Sequence, residues 1–363
     1  MQAQGSAAGG MRFGQGGSAT IGEYDEAMAR LAPVARTKPR TTASSRTAGE
    51  SWVVILAGGE GKRIRSYTTL ADGVAVPKQF CRFRDERSLL AATLDRALST
   101  TSAERVIALV MDAHRSWWEG ELARLPAANV LSQPDNHGTA VAILQGLVEI
   151  HCRDRNPRIV VMPSDCDVDD EAVLLGAIEA AQRTARSYPR DVVLLGMTPS
   201  HVDSEYGLIL PAAGRPGTAR RVRSFIEKPP IDVARRLTRE GAMWNSFIFA
   251  CEGWALYDLY EDTLPSVAEA YLRGLAHGAG RFDPRPETVG ALPAHDFGHD
   301  VLERSTDRLR LVEVPECGWT DLGTPARLAS WLARHREAVF WREHRLPRLT
   351  WDGGMGGSVQ PAT

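Results

Sequence analysis

No apolar stretch of this chain approaches the length of a membrane span, so no segment reads as a transmembrane helix. There is no excess of charge of either sign: 43 Lys and Arg stand against 45 Asp and Glu, a formal net charge of −2. That balance argues against a nucleic-acid binder, whose footprint is a strongly basic domain, while a small anionic ligand needs only a local basic pocket. Cysteine is scarce. The five residues Cys81, Cys152, Cys166, Cys251 and Cys317 are odd in number and scattered, with no Cys-x-x-Cys pair and no metal-ligand spacing, which points to a reducing cytoplasm. No internal repeat is visible, and no hexapeptide series that would build a β-helix.

What is present is an ordinary globular composition, 43% hydrophobic and 24% charged over 363 residues, enough for one large α/β domain and an appendage. Residues 1–50 are rich in Gly, Ser, Ala and Thr, carry a weak basic patch at Arg36, Lys38, Arg40 and Arg46, and lack the apolar core of a signal peptide. They read as a disordered tail, either a linker or a misassigned start. From Trp52 onward, aliphatic runs at 52–57, 105–110, 158–162 and 191–197 alternate with helical patterns at 88–98, 139–150 and 171–183. That alternation predicts βαβ units and a mostly parallel, Rossmann-like sheet flanked by helices. After Met197 the pattern changes to strand pairs at 206–210, 221–226, 244–250 and 309–314, which predict an antiparallel extension; a helix follows at 324–341 and a frayed tail at 353–363. The expected organisation is a tail (1–50), a catalytic domain (51–328) and a C-terminal helix with tail (329–363).

The first strand runs into Leu56-Ala57-Gly58-Gly59-Glu60-Gly61-Lys62-Arg63. Glycines let a backbone approach an anion and aim N–H groups at it, and Lys62, Arg63 and Lys78, in Val76-Pro77-Lys78-Gln79-Phe80, add full positive charge. A Walker A loop is excluded because Leu56 stands where its first Gly is required and Arg63 where Ser or Thr is required. A dinucleotide fingerprint is excluded by Ile64 at its third glycine position. The glycines alone would be a ligand-free turn; Pro77-Lys78-Gln79-Phe80 turns the reading towards nucleotide phosphates.

Val160-Val161-Met162-Pro163-Ser164-Asp165 is a strand that delivers Asp165 to its carboxyl end, where open α/β sheets bind ligands. A calcium loop starting there fails, because Asp170 takes the obligatory Gly position and Gly176 the bidentate Glu position. Asp167 to Glu171 read instead as the start of the next helix, where carboxylates suit the dipole. A later carboxylate, Asp321 in Gly318-Trp319-Thr320-Asp321-Leu322-Gly323-Thr324, is by itself a helix N-terminal turn. Paired with Asp165 it would make a two-carboxylate Mg²⁺ site with open positions for substrate phosphates.

With these segments in view, the chain resembles the sugar-1-phosphate nucleotidyltransferases, most closely their mannose-1-phosphate guanylyltransferase branch. The resemblance covers roughly 51–328 and runs in family order through the two motifs above, Gln133-Pro134 with Gly138-Thr139-Ala140, Met162-Pro163-Ser164-Asp165, Phe225-Ile226-Glu227-Lys228-Pro229, Trp244-Asn245-Ser246 and Trp319-Thr320-Asp321-Leu322-Gly323. It implies a nucleotide-diphospho-sugar transferase fold in which Leu56, Ala57, Gly58, Gly59, Gly61, Gln133, Gly138 and Thr139 hold the nucleotide and Arg63 and Lys78 act on its phosphates. It implies further that Tyr206, Gly207, Glu227, Lys228 and Asn245 bind the sugar phosphate and that Asp165 and Asp321 ligate Mg²⁺. The implied substrates are a nucleoside triphosphate and a sugar 1-phosphate, GTP and mannose 1-phosphate first, with a homodimer allowed.

The chain also departs from the family pattern. Ile64-Arg65-Ser66 replaces Leu-Trp-Pro after the kept Arg63, and His137-Gly138-Thr139 replaces the Arg-Asn-Thr of the guanylyltransferase branch, as in relatives that use other bases. Cys166 stands where the branch has His and reads as inert packing. Phe247 replaces the Gly of Trp-Asn-Ser-Gly, with a narrowed sugar pocket and core packing as the two readings. His137, His295 and His299 read as loop histidines, and Trp244 and Trp319 as structural walls. A rival from another class, a silent NDP-sugar-binding regulatory relative, is disfavoured by the joint retention of Arg63, Lys78, Asp165, Lys228 and Asp321.

Overall fold

The computed structural model describes residues 51–70, 72–215, 217–277, 292–335, 349–350 and 360–361. The expected tail at 1–50 and most of the chain beyond 335 therefore lie outside the described residues.

β1 (Trp52–Ala57) is an unbroken aliphatic run because it is covered on both faces, as a central parallel strand must be. It lies between β2 (Val106–Met111) and β4 (Arg158–Pro163), parallel to both, with Val54 opposite Ile107 and Val161. β3 (Val130–Gln133) adds in parallel beyond β2. On the other side come β8 (Met243–Glu252), β5 (Val192–Met197), β9 (Leu309–Val314), β7 (Arg220–Ile226) and β6 (Leu208–Pro211), completing a nine-stranded sheet. Only β7 and β8 run against the rest, so the sheet is mostly parallel in direction.

Side chains alternate across β1, and the core alternates with them. Val53, Ile55 and Ala57 join a cluster containing Leu90 and Leu94 of α1 (Leu89–Leu98), Leu174 and Ile178 of α4 (Glu171–Ser187), and Trp331 of α8 (Pro325–Arg334). α2 (Arg115–Glu121) adds Trp118 to that face. Trp52 and Val54 face the opposite cluster, with Ile143 and Leu147 of α3 (Gly138–Arg153) and Tyr260 and Tyr271 of α6 (Gly253–Thr263) and α7 (Pro265–His277). α5 (Ile231–Arg239) buries Ala234 and Leu237. Caps start the helices where the sequence offers them: Ser88, Asp170 and Thr324 accept from Ala91, Val173 and Arg327 amides, and Pro325 occupies the first turn of α8.

The antiparallel part is not confined to one edge, as the sequence order suggested: β8 is inserted between β4 and β5, near the middle of the sheet. Pairing geometry, not order along the chain, decides this, because Met243–Glu252 is buried on both faces and needs a neighbour on each side. The insertion matters for the site. Since β8 runs antiparallel, its first residues lie beside the last residues of β5, Asn245 opposite Gly196 and Trp244 opposite Met197. The start of β6 joins the same edge through Leu208 opposite Trp244, and the end of β7 through Ile226 opposite Leu208. Segments distant in sequence thus end at the carboxyl edge of β1 and β4, where ligands bind in this class of sheet. No described helix is long and apolar enough to cross a membrane.

Candidate functional site

The loop after β1 is built around a left-handed turn. Gly61 has φ +61°, and a Cβ there would stand 2.9 Å from Cβ of Lys78, so only glycine lets the two segments pack. Gln79 fastens the loop from beneath, its side-chain amide donating to the carbonyls of Ala57 and Gly59, each at 2.9 Å. Lys78 is almost fully buried, 6% exposed, with its ammonium 2.7 Å from Asp165 Oδ2 and donating to the Asp321 carbonyl. Arg63 is half-exposed and paired with Glu205, and Lys62 is exposed and paired with Glu60.

Asp165 and Asp321 reach the cleft through one local device. Asp167 and Thr320 exchange two backbone hydrogen bonds, 2.8 and 3.0 Å, which stitches the segment after β4 to the segment after β9. Asp167 and Asp169 therefore do not open the next helix, as expected; only Asp170 and Glu171 do. Instead Asp167 accepts from Arg84 and from the indole of Trp331 at 2.5 Å, and Asp169 accepts from Arg84 and pairs with His335 at 2.7 Å. Asp167, Asp169 and His335 are grouped closely enough for a metal, but the Arg84 guanidinium occupies that position and makes the cluster a tie between the α8 end and the sheet.

Asp321 is held on every side. Its carboxylate accepts from Arg327 at 2.7 and 2.8 Å, from the Gly323 amide at 2.9 Å and from the Tyr206 hydroxyl at 3.2 Å, while Arg327 lies 3.5 Å over the Tyr206 ring. Burial pushes this carboxyl up, but Lys78 and Arg327 outweigh burial and hold it below the ordinary range. Burial and the Asp321 charge push the Tyr206 phenol up, so it remains a donor. Asp165 is different: 40% exposed, with one oxygen on Lys78. Two carboxylates on one cleft wall are the hard oxygen donors that Mg²⁺ takes, so the residues fit that ion, with the oxygens of Asp321 shared with Arg327.

At the opposite end, Glu227 and Lys228 follow β7, and their side chains pair at 3.2 Å. Gly207 makes room for them: a Cβ there would stand 2.5 Å from Glu227 Oε2 and 3.3 Å from Cβ of Asn245. Burial, with Asp296 adding to it and Lys228 opposing, pushes the Glu227 carboxyl up, and its Oε2 has no hydrogen-bond partner among the described residues. Asn245 donates its backbone N–H to the Gly207 carbonyl at 2.8 Å and accepts on Oδ1 from the Phe247 amide at 3.0 Å. Tyr206 sits between Trp244 and Trp319, at 4.8 and 5.5 Å between ring centres.

The third wall is the start of α3. Gln133 donates to Gln145 at 2.8 Å, Gly138 has φ +84°, and residues 294–297 lie directly over it. A Cβ on Gly138 would collide with the His295 carbonyl, which accepts from Ala140 at 3.0 Å, while Thr139 Oγ1 accepts from the Phe297 amide at 2.8 Å. His295 also pairs with Asp300 at 3.0 Å. Cys166 lines the wall near Asp165, and burial pushes its thiol up to about 11, in keeping with an unreactive packing role.

These walls enclose a cleft of about 520 Å³. Of the residues singled out from sequence, Leu56, Gly58, Gly59 and Arg63 line it on one side, Gln133, Gly138 and Thr139 on a second, and Tyr206, Gly207, Glu227, Lys228 and Asn245 on a third, with Asp165 and Asp321 between. Ala57, Gly61 and Lys78 are not part of the lining, and Lys78 reaches it through the two aspartates. Sequence reasoning missed Glu205, His295 and Asp296 in the lining and Arg327 behind it. Arg327 carried one usable signal, a cation in the first turn of the helix that follows Asp321.

A model of a protein family described as nucleotidyl transferase matches residues 52–336. The chain belongs to the nucleotidyl transferase family. Among curated members it is 28% identical over 279 residues to the xanthan biosynthesis protein XanB of Xanthomonas campestris pv. campestris, covering 75% of this chain and 57% of that protein. It is 27% identical over 288 residues to the mannose-1-phosphate guanylyltransferase of Salmonella muenchen, with the same coverage. The chain thus spans somewhat more than half the length of these relatives. Among solved structures it resembles a mannose-1-phosphate geranyltransferase from Thermus thermophilus, TM-score 0.66 at 28% identity over 76% of each chain. A UDP-glucose pyrophosphorylase complexed with UDP-glucose, TM-score 0.52 at 14% identity over 81% of this chain and all of that one, shares the fold.

Proposed function

We propose that this nucleotidyl transferase family member joins a nucleoside triphosphate to a sugar 1-phosphate, with GTP and mannose 1-phosphate the leading pair. The observation that carries the reading is the buried Lys78 ammonium held between Asp165 and Asp321, two carboxylates that line a cleft shared by a glycine loop and the Glu227–Asn245 wall. In such a reaction a phosphate oxygen of the sugar attacks the α-phosphorus in line, a new P–O bond forms, the bond to the β-phosphate bridge breaks, and pyrophosphate carries away the electron pair. The nucleophile is already an anion, so the site needs positive charge and alignment more than a general base.

Each group has a part in that chemistry. Arg63 and Lys78 offset the triphosphate charge, Lys228 meets the sugar phosphate, and Glu227 and Asn245 read sugar hydroxyls. Asp165 and Asp321 would hold Mg²⁺, which when bound supplies charge that bridges the two polyanions. The names of the Salmonella and Thermus relatives favour a mannose phosphate and, in the former, a guanylyl donor. A silent NDP-sugar binder is favoured by one feature, the internal pairing of Arg63 with Glu205 and of Asp321 with Arg327. Pyrophosphate release over a panel of triphosphates and sugar 1-phosphates decides between them. The enzyme reading expects sugar-dependent release that EDTA stops, best or near-best with GTP and mannose 1-phosphate; NDP-sugar binding with no turnover across the panel would establish the other.

A further inference from the structure

Three non-glycine residues among those described have left-handed backbone: Lys228 at φ 44°, Phe247 at φ 61° and Leu322 at φ 49°. Such a conformation is unfavourable for an L-residue, and a bulky aromatic is poorly suited to it. All three lie next to a residue of the cleft. Leu322 is fully buried and fills the core, and Lys228 brings a charge to the site. Phe247 differs from both: it is only half-buried, packed on the edge of the core with its remaining side left open, at a position where glycine would adopt the same backbone freely.

That side is the cleft, whose lining includes Phe247. The ring is fixed in place: it packs edge-on against Phe297 at 6.0 Å, and Phe297 is itself stacked on Phe249 at 5.2 Å and tied by its amide to Thr139. The Phe247 amide also occupies the Oδ1 of Asn245, which leaves the Asn245 side-chain NH₂ as the group with hydrogens to offer a ligand. Phe247 thus both orients a proposed sugar contact and places a rigid apolar wall beside it.

Resting on the nucleotidyl-transfer reading, we propose that Phe247 is a specificity-determining residue of the sugar subsite, selecting hexose 1-phosphates with bare hydroxyls against those carrying an acylamino substituent. The wall excludes by volume, because a packed ring on an over-determined backbone does not yield to an added acetamido group.

The test compares wild type with Phe247→Gly and Phe247→Tyr, using mannose 1-phosphate and its 2-acetamido analogue with the best triphosphate. The ratio of kcat/KM for the acetamido sugar to that for the plain sugar is expected to rise about tenfold or more in Phe247→Gly and to stay at the wild-type value in Phe247→Tyr. An unchanged ratio in a folded Phe247→Gly protein overturns the proposal and returns the ring to core packing. Phe247→Asn, whose side chain tolerates left-handed backbone, replaces the Gly variant if that one unfolds. If wild type turns over neither these two sugars nor any other sugar 1-phosphate of the panel, the nucleotidyl-transfer reading fails; the ratio of dissociation constants for the two sugar phosphates, measured calorimetrically, is then read by the same criterion.

Discussion

The two ends of the cleft solve the same backbone problem in opposite ways. At the end proposed for the nucleotide the left-handed turns fall on glycines, Gly61 at φ +61° and Gly138 at φ +84°, each with another segment pressed against the place a Cβ would take. At the end proposed for the sugar and metal they fall on Lys228, Phe247 and Leu322, with Gly318 at φ +68° as the glycine among them. On the proposed reading, the glycines let the backbone come close to phosphate groups whose charge Arg63 and Lys78 offset. The other end would read a sugar with side chains, so there the chain keeps them and tolerates strain held in place by the surrounding packing.

The largest effects are expected where both ends meet. Asp165→Asn and Asp321→Asn should each lower kcat by at least about two orders of magnitude, through loss of a charge that balances polyanions. Both should also cost stability. Asp165→Asn removes the carboxylate paired with the Lys78 ammonium, 6% exposed, and Asp321→Asn leaves Arg327, 4% exposed, with Asp203 alone, so each should lower the Tm by several degrees. A wild-type Tm in either variant would show that its carboxylate is not the anchor these ion pairs describe.

Next, Gly61→Ala should lose about tenfold or more in kcat/KM and some stability, since the added Cβ meets Lys78. Phe247→Gly should show no strain penalty at the same φ. Similar destabilisation in both would remove the contrast between the two ends. Lys228→Ala should raise the KM for the sugar 1-phosphate by about tenfold while leaving that for the triphosphate nearly unchanged; a rise confined to the triphosphate would move Lys228 to the other end.

The smallest expected effect is the pH dependence of Glu227. Its carboxyl is raised in the folded protein, so below the ordinary value of 4.5 both states are protonated and it costs nothing, and as pH rises from there towards the folded value stability is lost. Glu227→Gln should therefore melt higher than wild type near neutral pH, by an amount that vanishes towards pH 4, and should bind sugar phosphate less well. A pH-independent difference in Tm would contradict the assignment.

Much of this was legible in the sequence because it is local. The strands at 52–57 and 159–162 are apolar runs, the strand at 309–314 shows in its aliphatic Leu309, Leu311, Val312 and Val314, and the glycine loop and Asp165 are each delivered by the strand before them. What was not legible depends on pairing. Nothing in Met243–Glu252 tells that it enters the sheet between β4 and β5, yet that insertion brings Asn245 to the ligand edge. The short β3 lacked a periodic signal, and residues 294–297 owe their role to lying over Gly138, more than a hundred and fifty positions away. Asp167 and Asp169 looked like helix-starting carboxylates because their partners, Arg84, Trp331 and His335, come from remote segments.

The central claim, that a sugar phosphate oxygen attacks the α-phosphorus, is tested most directly by isotope transfer. Mannose 1-phosphate carrying oxygen-18 in its non-bridging phosphate oxygens, incubated with GTP, Mg²⁺ and the protein, should yield an NDP-sugar that keeps every label and pyrophosphate that has none, as read by mass spectrometry. Label in the pyrophosphate, or no labelled NDP-sugar from any triphosphate and hexose 1-phosphate in the panel, would contradict the account.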